Sequence, residues 1–181
     1  MVYITADYHL NHFNIIKHCN RPFQDLEQMN RTIINNHNAC VKPEDTVFFL
    51  GDFCFGRIWD YLNQFNGKFI FVEGNHDKRT SKLPYHMKAV ILYRNGKQIY
   101  LTHSPNNLPY GYDLYFAGHI HNKWKFKEMK AIGNENNNYV DVCNVGVDVW
   151  EFFPITLEKL FEEYYRWKNI GGTLLILSNY I

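Results

Sequence analysis

The run Phe69-Ile70-Phe71-Val72-Glu73-Gly74-Asn75-His76-Asp77 constrains this chain more than any other stretch. Four apolar residues in succession read as a strand covered on both faces, because such a strand has no reason to alternate. The run stops at a glycine and then releases an amide, an imidazole and a carboxylate. Gly74 permits a backbone turn that a side chain would block, so the polar trio projects beyond the strand end. The pattern recurs at four other places. Val2-Tyr3-Ile4 leads to Asp7-Tyr8-His9, and Val47-Phe48-Phe49-Leu50 leads to Gly51-Asp52. Ile99-Tyr100-Leu101 leads to Thr102-His103, and Leu114-Tyr115-Phe116-Ala117 leads to Gly118-His119-Ile120-His121. Open α/β sheets bind ligands at the carboxyl ends of their strands, so these strands can aim all of the groups at one place.

Length and composition narrow the setting. A chain of 181 residues has room for one domain with a sizeable core, read here as residues 1–181 with the polar motifs inside 2–150. Apolar content of 46% and aromatic content of 17% exclude disorder. A formal net charge of +1 leaves no electrostatic footprint for long duplex nucleic acid. Cys19, Cys40, Cys54 and Cys143 show no C-x-x-C spacing. They read as reduced, mostly buried thiols of a cytoplasmic protein. No signal-peptide pattern precedes the first strand. Leu174–Leu177 is too short to cross a bilayer, so no membrane partner is expected.

In chain order, Asp25 with Gln28 three residues on predicts a helix start, with Leu26, Met29, Ile33 and Cys40 on its apolar face. Gly56 to Phe65 fits a second amphipathic helix, stopped at Asn66-Gly67. Asn95-Gly96 between two apolar runs predicts a tight hairpin. Lys123 to Lys127 alternates charge and aromatic as a half-exposed strand would. Residues 133–138 read as a polar surface loop, and Val140 to Val149 as a strand broken at Gly146. Thr156 predicts a last helix start, with Leu157, Leu160, Phe161 and Tyr164 buried. Gly171-Gly172 is expected to break that helix, leaving Thr173 to Leu177 as an edge strand.

Each polar motif is weak alone, since a lone histidine more often satisfies a hydrogen bond than holds a metal. Together Asp7, His9, Asp52, Asn75, His103, His119 and His121 all stand just past a buried strand. Their mixture of carboxylate, amide oxygen and imidazole suits manganese, with iron, zinc or nickel as alternatives. The set exceeds what one such ion needs, whereas two ions sharing a carboxylate fit well.

The order D-x-H, G-D, G-N-H-D, H and G-H-x-H resembles the calcineurin-like metallophosphoesterase superfamily over residues 2 to about 150. The sub-pattern Asp7-x-His9-x-x-His12-x-Asn14-Ile15-Ile16, with Asn20-Arg21-Pro22-Phe23 and Asn144-Val145-Gly146-Val147-Asp148-Val149-Trp150, is similar to a small bacterial and phage branch of predicted phosphoesterases. The resemblance implies an α/β fold, a four-layer αββα sandwich with mixed sheets. It also implies that Asp7, His9, Asp52 and His121 hold one ion. Asp52 as the bridge, with Asn75, His103 and His119, would hold the other. Gly51-Asp52-Phe53 departs from the D-R-G of the protein phosphatases of that superfamily, and there is little room for the capping region of its nucleases.

A dinuclear phosphodiesterase acting on nucleotides or short single strands, through hydroxide generated between the ions, is therefore the expected function. The rivals are a phosphomonoesterase, whether of nucleotides or proteins, and a catalytically silent binding module. His76, between the proposed ligand Asn75 and Asp77, can face the leaving oxygen, and Asp77 can orient that imidazole. His12 and Arg21 are candidate substrate contacts, though Arg21 equally suits a loop cap. His37 reads as a packed, hydrogen-bonded histidine, His18 and His86 as surface, and Asp148 and Asn144 as either outer supports or turn residues.

Overall fold

The computed structural model describes residues 1–77, 87–133 and 138–178 of the chain. Strands β1 (Val2–Thr5), β2 (Thr46–Phe49) and β3 (Lys68–Phe71) run parallel. The short β9 (Ile155–Thr156) pairs antiparallel with β1, giving the order β3-β2-β1-β9. The second sheet contains β4 (Ala89–Arg94), β5 (Lys97–Thr102), β6 (Leu114–Ala117), β7 (Phe126–Lys130) and β8 (Tyr139–Asn144) in the order β4-β5-β6-β8-β7. Here β5, β6 and β8 are parallel, and the outer strands β4 and β7 run against them. The protein is thus mixed α/β with two mixed sheets.

The alternation of side chains along each strand separates the cores. Ile4, Phe48, Leu50 and Val72 from the first sheet meet Ile99, Leu101, Leu114, Phe116 and Cys143 from the second. The opposite face of the first sheet presents Phe49 and Phe71 to Ile15, Met29, Ile33 and Phe65. Those residues lie on or beside α1 (Phe13–His18), α2 (Leu26–Cys40) and α3 (Trp59–Leu62). The starting run is covered in part: Phe71 and Val72 are buried, but Phe69 and Ile70 are only half-buried because β3 stands at the end of its sheet. The outer face of the second sheet, with Tyr115, Ala117 and Val142, packs against Leu108, Tyr112 and Ala131 from connecting segments. The last helix, α4 (Leu157–Ser178), buries Leu157, Leu160, Phe161 and Tyr164 in the inter-sheet core.

Local signals hold where the chemistry is short-range. Asp25 Oδ1 accepts the Gln28 N–H at 2.8 Å and starts α2. Asn95 and Gly96 take φ of 53° and 71°, the left-handed pair that a two-residue hairpin needs. Thr156 Oγ1 accepts the Lys159 N–H at 3.2 Å at the start of α4.

Four expectations shift. The strand expected at Val140–Val149 spans Tyr139–Asn144, and Val147–Val149 past Gly146 form a short 3-10 helix. Only Trp59–Leu62 of the Gly56–Phe65 stretch is α-helical, and Gly56 at φ 133° keeps the start of the stretch outside helical space. The strand expected at Lys123–Lys127 lies at Phe126–Lys130 instead. Asn144 Nδ2 holds the carbonyls of His121 and Trp124 at 2.7 and 2.8 Å, which keeps that segment out of the ladder. The last helix runs through Gly171-Gly172 to Ser178, so the edge strand at 173–177 does not form. Glycine costs a helix about 1 kcal/mol relative to alanine but, unlike proline, keeps its N–H, and the leucines that follow favour the helix. His86 and residues 134–137 of the polar loop lie outside the described residues.

Both sheets deliver the carboxyl ends of their parallel strands to one edge. There Ala6, just past β1, bridges to Gly146, just past β8, and ties the two sheets together.

Candidate metal centre

The expected ligands converge at that edge. Asp7, His9, Asp52 and His103 form its floor, with relative exposures of 0%, 1%, 2% and 5%. Asn75, His119 and His121 stand on the rim. Asp7, His9, Asp52, His119 and His121 all adopt φ between 50° and 71°. Left-handed backbone at non-glycine residues persists only where the surroundings fix it. The fixing groups are visible: the Asp7 N–H donates to the Gly51 carbonyl at 3.0 Å and the His9 N–H to the Asp52 carbonyl at 2.9 Å. The His119 N–H donates to Asp7 Oδ2 at 2.8 Å, and the His76 N–H to Asp52 Oδ1 at 2.9 Å.

Glycines permit the close approach. A Cβ on Gly74 would fall 2.2 Å from Asp52 Oδ1, and one on Gly51 2.6 Å from His103 Nδ1. Gly74 does not need a positive φ. It is required because the second and third motifs touch there.

Two groups of donors can be traced. Asp7, His9 and His121 place ligand atoms within 4.8 Å of one another, and so do Asp7, Asp52 and His103. Asp52 Oδ2 lies 3.4 Å from His9 Nε2 and 3.4 Å from His103 Nε2. Asn75 Oδ1 lies 2.8 Å from both His103 Nε2 and His119 Nδ1. Among the described residues, Asp7 Oδ1 and His9 Nε2 are buried without a hydrogen-bond partner. Buried polar atoms are rarely left so, and a carboxylate oxygen facing an imidazole nitrogen suits a divalent cation. The residues fit a metal.

The charges agree with that fit. Burial pushes the Asp7 carboxyl up to about 6 against the pull of His103 and His121. Burial also acts upward on Asp52, but His103 and His9 outweigh it and hold this carboxyl well below the usual carboxylate range. Burial pulls the two partner imidazoles down, yet Asp52 and Asp7 raise His103 to about 9, and Asp148 raises His121 to about 10. The pocket thus draws positive charge toward buried carboxylates. A bound cation would displace those protons.

Other candidates take different places. His12 is half-buried, with Nδ1 3.2 Å from His9 Nδ1 and its ring stacked on Phe55 at 3.9 Å. His76 is half-buried beside them, its ring 5.3 Å from that of His9 and 5.7 Å from that of His12. Arg21 does not serve as a substrate contact: it is buried, and its guanidinium is engaged by Asp148, by the carbonyls of Asp7 and Tyr8, and by Met29. It is the loop clamp that its sequence setting equally allowed. Asp77 also departs from expectation. Its carboxylate accepts the N–H groups of Asp52, Phe53 and Gly74 at 2.8, 3.1 and 2.7 Å, so it organises backbone where amides converge. The role of Asp148 was not assigned from sequence, yet its Oδ2 lies 3.0 Å from His121 Nδ1. Its signal is the apolar strand β8, which ends in Asn144 and is followed by Gly146 and Asp148, much as the other motifs follow their strands.

The family model described as the calcineurin-like phosphoesterase superfamily domain matches residues 1–147. The chain belongs to that superfamily. Membership makes it a metal-dependent phosphoesterase, a hydrolase of phosphate esters. It is similar to an uncharacterized protein of Methanocaldococcus jannaschii, at 36% identity over 174 residues, covering 90% of this chain and 92% of that one. It is also similar to the crystal structure of a protein of unknown function from Aquifex aeolicus, at 25% identity and a TM-score of 0.67, covering 90% of this chain and 98% of that one. No helix among the described residues of this phosphoesterase is long and apolar enough to cross a membrane.

Proposed function

We propose that this phosphoesterase is a dinuclear phosphodiesterase acting on nucleotides or short single-stranded nucleic acid. The observation that carries the reading is the position of one Asp52 oxygen, 3.4 Å from His9 on one side and 3.4 Å from His103 on the other. A shared carboxylate between two imidazole clusters is what a pair of ions needs. Asp7, His9 and His121 would hold one ion, with Asn75, His103 and His119 at the other and Asp52 between them. When bound, such ions supply Lewis-acid charge for phosphate oxygens and lower the pKa of water toward neutrality. Carboxylate, amide oxygen and imidazole donors favour manganese, with iron, zinc or nickel as substitutes.

The chain's own residues supply the rest. The His76 N–H on Asp52 Oδ1 holds its turn against the cluster, and the imidazole, beside the rings of His9 and His12, would serve as proton donor for the departing oxygen. His12, stacked on Phe55, borders the same mouth and would meet the substrate. The near-zero net charge supports a small substrate over long duplex. Four free thiols support a cytoplasmic setting.

The test is a manganese-dependent screen over cyclic, linear and dinucleotide phosphodiesters, run beside nitrophenyl mono- and diesters. Chelator-sensitive turnover of diesters is expected. Turnover confined to monoesters would replace this reading with a phosphomonoesterase. Bound metal without turnover on any ester would make the chain a binding module.

A further inference from the structure

His103 and His121 differ in what holds their second ring nitrogen. His103 Nδ1 lies 2.7 Å from the Leu50 carbonyl, a neutral acceptor. His121 Nδ1 lies 3.0 Å from Oδ2 of Asp148, a carboxylate with a side-chain exposure of 2%. Asp148 in turn receives Arg21 Nε on Oδ1 at 2.8 Å and an Arg21 terminal nitrogen on Oδ2 at 2.9 Å. The same guanidinium donates to the carbonyls of Asp7 at 2.7 Å and Tyr8 at 3.0 Å. One buried cation therefore joins the turn that carries Asp7 and His9 to the carboxylate that carries His121.

We propose that Asp148 and Arg21 are positioning residues for one ion of the pair, the ion on the Asp7–His9–His121 side. Asp148 fixes the His121 tautomer, with the proton on Nδ1, and leaves Nε2 as the ligand atom. A carboxylate in that place also makes the imidazole a stronger donor than a carbonyl would. Arg21 offsets the buried carboxylate charge and ties the Asp7 turn to it. Cys19, His121 and Asp148 come within reach of one another as well. They do not form a third cation site, because the guanidinium already engages both Asp148 oxygens. The asymmetry with His103 gives the proposal its content: among the described residues His121 Nδ1 has a carboxylate at hydrogen-bond distance, whereas His103 Nδ1 has a carbonyl there and the Asp7 carboxylate only at 4.0 Å. It also couples the two stretches, Asn20-Arg21-Pro22-Phe23 and Asn144 to Trp150, that the metal ligands alone leave without a role.

The inference rests on the two-ion reading, and its test reads metal rather than turnover. Mn²⁺ is titrated calorimetrically into metal-free full-length protein, wild type and Asp148→Asn. Two binding steps are expected in the wild type, and one of them should weaken by about 10- to 100-fold in the variant while the other holds. Asp148→Asn leaves Arg21 buried without a counter-charge, so Arg21→Gln/Asp148→Asn serves as the second variant. Removing both charges should leave the same selective weakening. Equal loss in both steps would make the pair a general structural clamp and overturn the proposal, as would two unchanged steps. Wild-type protein that takes up no Mn²⁺ would overturn the two-ion reading itself, and the two failures are told apart by that control.

Discussion

Asp77 Oδ2 accepts the backbone N–H of Asp52 at 2.8 Å, so the last residue of the third motif sets the ligand of the second. The same oxygen takes the Gly74 N–H at 2.7 Å, and Oδ1 takes that of Phe53 at 3.1 Å. Asp77→Ala strands these buried donors together. An unsatisfied buried donor costs about 1–3 kcal/mol, so the variant should lose at least about 3 kcal/mol in urea unfolding. Asp77→Asn, which keeps one acceptor oxygen, should lose less. An alanine variant as stable as the wild type would return Asp77 to the role of orienting His76.

His37 predicts an acid sensitivity that does not involve the metal site. The Tyr8 hydroxyl lies 2.7 Å from His37 Nδ1, and His37 Nε2 lies 2.7 Å from the Asn66 carbonyl. The second contact requires a proton on Nε2, so Nδ1 accepts from Tyr8 and the ring is neutral. Burial lowers this imidazole from 6.5 to about 4. The unfolded chain therefore takes up the proton first as pH falls. Stability should decline between about pH 6.5 and pH 4 by about 3 kcal/mol, and level off below. In His37→Gln that part of the slope should vanish, whatever the variant's starting stability. An unchanged slope would assign the acid loss to other groups.

These two residues mark what the sequence could and could not reveal. His37 was legible because its spacing from Met29 and Ile33 placed it on a buried helix face, where an unpaired imidazole is too costly to keep. The metal-ligand candidates were legible because each follows an apolar strand, and parallel strands bring their carboxyl ends together. The partners of Asp77 and Arg21 are not legible in the sequence, because sequence neighbours are poor guides to hydrogen-bond partners. Asp77 bonds amides from the loop after β2, and Arg21 reaches Asp148, 127 residues away. The last helix passes through Gly171-Gly172 because a glycine penalty of about 1 kcal/mol per residue is a local preference that the rest of the segment overrides.

Asp52 should be the residue on which metal content depends most. If it bridges, its substitution acts on both ions at once, whereas loss of Asn75 or His119 acts on one. Asp52→Asn keeps the size and the Oδ1-side acceptor for the His76 N–H but removes the shared charge. Elemental analysis of protein purified in manganese should show content falling from about two ions per chain to below one. The wild type should also melt higher with Mn²⁺ than without, a difference the variant should largely lose. Full occupancy in Asp52→Asn would place the bridge elsewhere, with Asp7 next in line because it belongs to both donor groups.

His76 carries the sharpest chemical prediction. Its backbone N–H is fixed on Asp52 Oδ1, and its ring stands beside those of His9 and His12 at the mouth of the cluster. A ring in that place, with its neighbour Asn75 turned to His103 and His119, stands where it would meet the leaving group. Protonating a poor leaving alkoxide is worth about 10²–10⁴-fold in rate. His76→Ala should therefore keep its metal, measured by elemental analysis, and lose turnover by that factor on a substrate with a nucleoside leaving group. On a nitrophenyl diester the loss should be small, because nitrophenolate departs without a proton. Equal losses on the two substrates would leave His76 as a group that positions phosphate. Loss of metal in the variant would instead make it a ligand, and the proton donor would have to be sought at His12, the other imidazole of that mouth.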